Sequence, residues 1–419
     1  MRARPELPGG PYLVVGLARS GAAIARALRA HGEVIGCDAG EPENLTDLER
    51  VELHLLSDGL DLLDRVHTVV KSPGVPREAP VIAAALDGGL EVTGELELAW
   101  RLLPNPFVAV TGTNGKTTTV ELLGEMYRAG GIPAVVAGNV GTPLASLVGA
   151  IPPEVVVVCE ASSFQLEDSS AFSPECAVLL NLEEDHLDRH GDAASYREAK
   201  MRIFANQLPG DNAIDPVVIA AETAVTGGVL SIRGERLLPL AEIRLRGAHN
   251  LENARAAALA ASVTGVAGEA IAEALRKFAG VAHRLEEVAT VAGVLYVNDS
   301  KATNVASALK GIEAFDAGVH AVLGGSLKGG GFTGLRDAVS ERCRAAYLIG
   351  EAQERLASDL AGTAPLRRCG TLEEAVGQAA AAARPGEVVL LSPACASFDA
   401  FRDYEDRGDR FRALVEGLE

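Results

Sequence analysis

The sequence lacks the features that would indicate a membrane, secreted or nucleic-acid-binding protein. No apolar run reaches the ~18 residues of a membrane span, and no signal peptide opens the chain. The six cysteines form no Cys-x-x-Cys pair, so we expect reduced, mostly buried thiols. A net charge of −19 argues against nucleic acid or an anionic membrane as a partner. The sequence therefore predicts a cytoplasmic protein, which we further expect to be a monomer.

Lysine is also scarce. Of the 38 basic residues only seven are lysines, at positions 71, 116, 200, 277, 301, 310 and 328. Because arginine cannot replace lysine where a compact ammonium or a nucleophilic amine is needed, the remaining lysines are informative. Lys116, Lys301 and Lys328 lie in or beside turns with glycine or serine, and Lys200 lies near an acidic stretch with histidines.

The stretch VAVTGTNGKTTTVELL, residues 108–123, joins an apolar strand to a helix through a glycine-rich turn. Such a turn directs backbone N–H groups and a helix N-terminus at one point, which attracts an anion. Lys116 can reach terminal phosphates, and the Thr117 hydroxyl can hold Mg²⁺. Val110 stands where the usual pattern has its first glycine, so a plain helix entry with a solvated lysine is the alternative. We expect ATP or GTP to bind the phosphate loop, formed by Gly112, Thr113, Asn114, Gly115, Lys116, Thr117 and Thr118.

The chain opens with the strand, turn, helix and second strand of a Rossmann-type unit, ending at Asp38. Its turn, residues 16–21, has Ala18 where the dinucleotide fingerprint has its middle glycine. NAD is therefore a poor candidate, whereas another nucleotide diphosphate fits. Residues 69–76 predict another strand and a tight turn, although glycine turns needed for geometry alone are an alternative.

Further apolar runs predict strands that end in polar turns, where α/β folds bind ligands. These strands lie at 154–160, 176–182, 294–299, 320–325 and 387–392. The predicted fold class is α/β with a Rossmann-like N-terminal domain, a P-loop NTPase-like central domain and a Rossmann-like C-terminal domain. The predicted boundaries are 1–94, 95–280 and 281–419.

Two acidic strand ends are metal candidates. Glu160 ends a run of four valines and a cysteine and suits Mg²⁺, with a helix N-cap as the alternative. Asp185 and His186 follow the strand at 176–182, which we expect to neighbour the strand carrying Glu160. A helical lysine such as Lys200 is ordinarily a surface residue.

The chain resembles the Mur ligases of bacterial cell-wall synthesis from about Tyr12 to the C-terminus, and ten motifs between residues 111 and 401 carry the resemblance in order. They are TGTNGKTT, GNVGTP, EASSFQLE, NLEEDHLDRHG, REAKMRIF, GAHNLENARAA, HRLE, NDSKATN, LGGSLKGGGF and SPACASFDAF. The similarity is weakest over 205–245, where the second domain is short. SSFQLE, NDSKATN and SPACAS are the specific motifs, since sister ligases and folylpolyglutamate synthase share the phosphate loop but not these three.

The resemblance implies one domain for UDP, one for ATP and one for the incoming amino acid. It implies ATP-driven amide formation between UDP-N-acetylmuramoyl-L-alanine and D-glutamate, a step of peptidoglycan precursor synthesis. The carboxylate is first phosphorylated to an acyl phosphate, which the amine of D-glutamate then attacks. Two polyanions must meet in this reaction, so Mg²⁺ and lysines are needed to offset their repulsion.

The resemblance also implies site residues. Thr117 and Glu160 match ligands of a first Mg²⁺, and His186 and a CO₂-derived carbamate on Lys200 match those of a second. The matches to the ATP site outside the loop are Asn253, Arg284 and Asp299. The matches to the substrate sites are Asn139 and Ser162 for the muramoyl-alanine end, Arg19, Ser20, Asp38, Ser72 and Gly74 for UDP, and Lys301, Thr303, Lys328, Ser397 and Tyr404 for D-glutamate. Tyr404 departs from the usual phenylalanine, and Ala39 and Gly40 lack side chains that contact uracil in some relatives.

Two alternative functions stay open. One is another Mur or folate ligase, which the amino acid accepted as substrate would distinguish from a D-glutamate ligase. The other is a nucleotide-binding regulator that uses ATP as a switch, which the presence of NDSKATN and SPACAS disfavours.

Overall fold

A computed structural model of the 419-residue chain describes residues 2–42, 45, 47–183, 187–245, 247–327 and 331–418. The chain divides into two compact units, Met1–Arg244 with Ala248–Phe278, and Leu245–Gly247 with Ala279–Glu419. The six cysteines are free and four of them are buried, as expected. Among the described helices none is both long enough and apolar enough to cross a membrane.

The first unit begins with a parallel sheet. Its strands and helices are β1 (Tyr12–Val15), β2 (Val34–Asp38), β3 (Glu52–Leu55), β4 (Thr68–Lys71), β5 (Glu91–Gly94), α1 (Arg19–Leu28), α2 (Pro80–Asp87) and α3 (Glu95–Leu102). The strand order is β3-β2-β1-β4-β5. All four residues of β1 are buried, as expected for a strand in the middle of a parallel sheet. The carboxyl ends of β1, β2 and β4 are therefore neighbours at one edge.

A second parallel sheet of the same unit carries the phosphate loop. Its elements are β6 (Phe107–Thr111), β7 (Ala134–Gly138), β8 (Val156–Glu160), β9 (Cys176–Leu179), β10 (Asn212–Ile214), α4 (Lys116–Ala129), α5 (Ser163–Leu166), α6 (Leu187–His190), α7 (Ala193–Ala205) and α8 (Pro216–Glu222). The order is β10-β9-β6-β8-β7, so the expectation that the strand at 176–182 neighbours the strand of Glu160 is wrong. Strand β6 pairs with both of them, which places the phosphate loop between their ends.

The rest of the first unit is a small sheet and two helices. It comprises β11 (Thr223–Thr226), β12 (Val229–Ile232), β13 (Glu235–Pro239), α9 (Ala248–Val263) and α10 (Gly268–Lys277). Strands β11, β12 and β13 form an antiparallel sheet in the region of weakest family similarity. Helix α9 packs on α4 through buried alanines, whose small side chains allow the two helices to approach closely.

The second unit is built on one mixed sheet. Its elements are β14 (Glu286–Val291), β15 (Val294–Asn298), β16 (Val319–Gly324), β17 (Cys343–Ile349), β18 (Leu366–Gly370), β19 (Val388–Leu391), α11 (Val305–Glu313), α12 (Arg336–Arg342), α13 (Gln353–Asp359), α14 (Leu372–Ala382) and α15 (Tyr404–Glu416). The order is β14-β15-β19-β16-β17-β18, with only the β14–β15 pair antiparallel among the described strands. Strands β15, β19 and β16 therefore end side by side.

The α/β class with parallel sheets is as predicted. The three-domain division stays a prediction: the two parallel sheets of the first unit lie on either side of residue 94.

Candidate active site

The phosphate loop turns back on itself between β6 and α4. Lys116 Nζ donates to the carbonyl oxygens of Gly112, at 2.8 Å, and Thr113, at 3.0 Å. The loop also rests on the segment after β9, because the Asn114 N–H donates to Asn181 Oδ1 at 2.8 Å and the Thr113 N–H to the Asn181 carbonyl at 3.1 Å. These contacts fix the loop's backbone while Lys116 is held by carbonyl groups that a phosphate can displace.

Helix α9 brings Asn253 against the phosphate loop. Gly115 has a left-handed backbone (φ +85°), and a Cβ added there would lie 2.1 Å from Asn253 Oδ1. Glycine is needed at this position both for the backbone conformation and for the close approach. Asn253 is buried, with its Nδ2 donating to Asn250 Oδ1 at 3.2 Å. The predicted ATP-side asparagine and the loop are thus in direct contact.

Glu160 ends β8 beside the phosphate-loop strand, paired in register with Val110. The side chain is 2% exposed, and its Oε1 accepts a hydrogen bond from Asn139 Nδ2 at 3.2 Å. Its Oε2 is buried and has no hydrogen-bond partner among the described residues. A buried carboxylate oxygen without a donor is costly unless a cation completes it. The donor set of Glu160 and the Thr117 hydroxyl at the start of α4 therefore fits Mg²⁺.

Lys200 is buried at the phosphate loop, whereas a helical lysine ordinarily lies on the surface. Its side chain is 2% exposed and its Nζ donates to the Gly112 carbonyl at 2.9 Å. The Nζ also lies 4.6 Å from the centre of the Tyr196 ring, whose hydroxyl donates to Thr113 Oγ1 at 3.1 Å. Helix α7 thus brings a buried amine to the same carbonyl oxygen that Lys116 contacts.

Ser162 caps α5, directly after β8. Its Oγ accepts from the Gln165 N–H at 3.3 Å, and Gln165 Oε1 accepts from the Ser162 N–H at 3.0 Å, which is a capping box. The Asn139 N–H donates to the Glu160 carbonyl at 2.9 Å. The two residues matched to the muramoyl-alanine end therefore lie on either side of Glu160.

The predicted UDP residues collect at the carboxyl edge of the first sheet. Asp38 accepts the N–H groups of Leu17 at 2.6 Å and Gly40 at 2.8 Å, which shapes the turns after β1 and β2. Ser72 Oγ donates to the Gly16 carbonyl at 2.6 Å and joins the turn after β4 to them. Arg19 and Ser20 begin α1 directly after the turn that follows β1, Gly74 lies in the turn after β4, and all three are exposed or half-buried.

In the second unit the predicted ATP residue Asp299 follows β15 in a buried position. Its Oδ2 accepts from Ser392 Oγ at 2.7 Å and its Oδ1 from the Leu285 N–H at 3.2 Å. Burial raises the pKa of Asp299 to about 7, against the opposing effects of the Ser392 hydrogen bond and the Arg284 charge. The charge of Arg284 therefore acts on Asp299, and their shared role at ATP stays a prediction.

Four of the predicted D-glutamate residues follow β15 and β19: Lys301 and Thr303 lie after β15, Ser397 lies after β19, and Tyr404 begins α15. The Lys301 Nζ is 5.8 Å from the centre of the Tyr404 ring, and the Tyr404 hydroxyl donates to Glu405 Oε1 at 3.0 Å. Ser397 is buried, and Thr303 is half-buried two residues beyond Lys301. These four side chains therefore belong to one edge of one sheet.

Some predicted residues fall outside the described part of the chain. They are Asp185 and His186 after β9, and Lys328 in the loop after β16. Over the residues that the structure describes, no group of three or more His, Cys, Asp or Glu is placed to hold a metal ion. The second metal site is therefore still a prediction.

Sequence reasoning missed two residues that structure these loops. Tyr196 precedes Lys200 by one helical turn, and Arg407 is fully buried on α15. The helical spacing of Arg407, Phe411 and Val415, all on the buried face of α15, was the available signal.

Comparison with known proteins gives matches over nearly the whole chain. The Mur ligase middle domain matches residues 110–225, and the Mur ligase, glutamate ligase domain matches residues 283–395. A UDP-N-acetylmuramoylalanine--D-glutamate ligase of Geobacter metallireducens is 43% identical, covering 99% of this chain and 98% of that relative.

Solved structures show the same fold at lower identity. The UDP-N-acetylmuramate-alanine ligase MurC of Thermotoga maritima has a TM-score of 0.59 at 16% identity, covering 98% of this chain and 100% of that one. The MurF ligase of Thermotoga maritima in complex with ADP has a TM-score of 0.57 at 18% identity, covering 99% and 97%. Both confirm the α/β fold class.

Proposed function

Because the chain belongs to the Mur ligase family, we propose that it joins D-glutamate to UDP-N-acetylmuramoyl-L-alanine in an ATP-dependent step of peptidoglycan precursor synthesis. The relatives that carry this activity in their names match from end to end. The observation that supports the chemistry most directly is that Lys116 and Lys200 both donate to the Gly112 carbonyl, while Glu160 is paired with Val110 on the strand that leads into the phosphate loop. These are the groups that transfer of a phosphoryl group between two anions requires.

In the first half of the reaction, a carboxylate oxygen of the muramoyl-alanine substrate attacks the γ-phosphorus of ATP, and ADP leaves. Lys116 would leave the carbonyl oxygens of Gly112 and Thr113 and bind the phosphates of ATP instead. The N–H groups of the loop would hold these phosphates in place. Glu160 and Thr117 would hold Mg²⁺, which when bound neutralises charge on the phosphates. Asn253 would keep Gly115 and the loop in this conformation.

In the second half, the amine of D-glutamate attacks the acyl phosphate carbon, and inorganic phosphate leaves as the amide forms. Lys301, Thr303, Lys328, Ser397 and Tyr404 would orient D-glutamate. Arg284 and Asp299 would also contact ATP. Arg19, Ser20, Asp38, Ser72 and Gly74 would hold UDP, with Asn139 and Ser162 at the muramoyl-alanine end.

Lys200 would serve as a carbamate rather than as an amine. Its neutral Nζ adds to the carbon of CO₂ and loses a proton, which converts a cation into an anion able to hold a second Mg²⁺ with His186. The burial of Lys200 at the phosphate loop supports this role, because an anion there can share a metal ion with the phosphates. Arginine is chemically unable to form such an adduct.

The carbamate role is tested with two variants. Lys200→Ala is expected to be inactive and to regain activity in part when a small carboxylic acid is added in excess. Lys200→Arg is expected to stay inactive with or without the acid. Wild-type protein with isotopically labelled bicarbonate should show a carbamate carbon signal by NMR that both variants lack. Substantial activity in Lys200→Arg would eliminate the carbamate.

The overall function is tested by incubating the purified protein with ATP, Mg²⁺, UDP-N-acetylmuramoyl-L-alanine and D-glutamate, with the product identified by mass. Ligation of L-glutamate, L-alanine or a diamino acid in place of D-glutamate would instead identify another Mur or folate ligase. ATP hydrolysis without any ligated product would favour the nucleotide-dependent regulator. We further propose that the protein acts in the cytoplasm, where ATP and UDP-linked precursors occur, and as a monomer, which sizing by light scattering would test.

A further inference from the structure

Arg407 is a fully buried cation with neutral hydrogen-bond partners. It lies on α15 with 0% of its surface exposed. Within the described ranges no carboxylate lies within ion-pair distance of its guanidinium, and the charge of Asp399 acts on it from farther away. Burial lowers the pKa of Arg407 to about 10, so the guanidinium is still charged at neutral pH. A buried charged group is costly unless its N–H donors form hydrogen bonds, and the donors of Arg407 do so.

The guanidinium donors join the two loops at the carboxyl ends of β15 and β19. Nε donates to Ser300 Oγ at 3.0 Å, and Nη2 donates to the Ser300 carbonyl at 2.9 Å. Nη2 also donates to the Cys395 carbonyl at 3.1 Å, and Nη1 donates to the Ala396 carbonyl at 3.2 Å. One planar group therefore sets the separation and orientation of two loops that are far apart in sequence.

A third loop, after β16, is packed on the same group. A Cβ added to Gly325 would lie 3.0 Å from Arg407 Nη1 and 2.2 Å from the Ala396 carbonyl oxygen. The next residue, Ser326, donates its N–H to that carbonyl at 2.9 Å. Because residue 325 is glycine, the loop that leads to Lys328 can approach the guanidinium closely.

Two of the three residues that accept hydrogen bonds from Arg407 are next to residues matched to D-glutamate. Ser300 precedes Lys301, and Ala396 precedes Ser397. Tyr404 lies one turn before Arg407 on α15, and its carbonyl accepts from Ser300 Oγ at 2.8 Å. Displacement of the guanidinium would therefore move these side chains relative to one another.

We propose that Arg407 is a positioning residue for the amino-acid site, fixing the loops that present Lys301, Ser397 and Tyr404 to the incoming amino acid. This inference rests on the proposed function, since it takes that substrate to be D-glutamate. Only arginine offers five N–H donors in a planar fork, which is what four acceptors on two loops require. Lysine at this position would keep the charge but could not reach all of the acceptors at once.

The test compares Arg407→Lys and Arg407→Met with a control on the same helix, Arg410→Met. Arg410 is 55% exposed and pairs with Glu373 at 2.9 Å, so its loss should leave the loops in place. We expect the KM for D-glutamate to rise about tenfold in Arg407→Lys and further in Arg407→Met, as loosened charge-assisted hydrogen bonds misplace the site. The KM for UDP-N-acetylmuramoyl-L-alanine should stay near the wild-type value, as should all constants of Arg410→Met.

A partial reaction separates positioning from general damage to the fold. Hydroxylamine can replace D-glutamate by attacking the acyl phosphate carbon with loss of phosphate, and the resulting hydroxamate needs no amino-acid site. Hydroxamate formation should persist in Arg407→Lys while ligation of D-glutamate falls. If the two fall in parallel, or if the KM for D-glutamate is unchanged, the positioning role is overturned. If Arg407→Met does not fold, the comparison of Arg407→Lys with wild type still tests the positioning role.

Failure of the proposed function gives a different result. Wild-type protein would then form hydroxamate but ligate no D-glutamate, or would form neither product, and the inference would fail with the function. Wild-type ligation with unaltered variants would overturn the inference alone.

Discussion

Lys71 ties the turn after β4 to the segment after α5 through a buried ion pair. Its Nζ lies 2.7 Å from Asp168 Oδ2 and 3.7 Å from Glu167 Oε1, and it donates to the Val75 carbonyl at 3.0 Å. The side chain of Lys71 is 0% exposed and that of Asp168 is 1% exposed. We predict that Lys71→Met will strongly destabilise the first unit, because it leaves a buried carboxylate without its main partner.

The size of the expected loss in stability depends on the groups that still surround Asp168 in the variant. Removing one partner of a buried pair typically costs about 3–5 kcal/mol. Arg77 Nε would remain 3.6 Å from Asp168 Oδ1, although Arg77 is 42% exposed. Burial raises the pKa of Asp168 and the Lys71 charge lowers it, so the variant can also take up a proton there. Both effects favour the lower end of the range, a loss of about 3 kcal/mol near neutral pH.

The loss should depend on pH in a definite direction. Without Lys71, the folded-state pKa of Asp168 moves further above its unfolded value than in wild type, so the folded variant keeps a proton that folded wild type has already released. The stability of the variant relative to wild type should therefore fall as pH rises above the folded-state pKa of Asp168 in wild type. At lower pH, where Asp168 is protonated in both states, the difference should shrink.

Urea unfolding followed by circular dichroism measures the effect. In the double variant Lys71→Met/Asp168→Asn neither charge of the Lys71–Asp168 pair is left, so its loss of stability should be smaller than the sum of the two single losses. Lys277→Met serves as the control, because Lys277 is 76% exposed in its pair with Glu273 and should change nothing measurable. A loss below about 1 kcal/mol in Lys71→Met, or strictly additive losses in the double variant, would refute the reasoning.

Two further predictions concern the proposed nucleotide site. Because the pKa of Asp299 is about 7 when folded, wild type should lose stability relative to Asp299→Asn as pH rises from about 4 to 7, and parallel thermal unfolding profiles would contradict this. Gly115→Ala should abolish ATP-dependent turnover, since its Cβ would overlap Asn253. Gly131→Ala is the control, because Gly131 has a similar φ (+67°) but open space around it, so turnover should persist. Equal turnover in the two variants would show that contact with Asn253 is unimportant.

The sequence predicted the strands and the turns that follow them because each strand is a short apolar run ended by glycine or a polar residue. Strands β6 and β8, with Glu160 at the tip of β8, lie where the pattern placed them. The order of strands could not be predicted in the same way, since it depends on crossovers that the local pattern does not encode. The insertion of β6 between β8 and β9 is the example.

The hairpin strands at 223–239 were also missed. Strands β11 and β13 each have only one buried residue, so their apolar signal is weak. The burial of Arg407 was also missed, because lysine and arginine ordinarily lie on the surface. Lys200 on α7 and Arg407 on α15 are both buried by partners from distant segments. The scarcity of lysine and the family resemblance pointed to Lys200, whereas only the helical spacing pointed to Arg407.

The buried cations use backbone carbonyl groups in the turns where anionic ligands are proposed to bind. Lys71 donates to Val75, Lys200 to Gly112, and Arg407 to Cys395 and Ala396. A carbonyl oxygen has only a partial negative charge, so it holds a cation less strongly than a phosphate or carboxylate does. Half-buried Lys116 is therefore free to exchange its carbonyl contacts for the phosphates of ATP. Arg407 has four acceptors and no exposed surface, so it stays in place and fixes the loops around it.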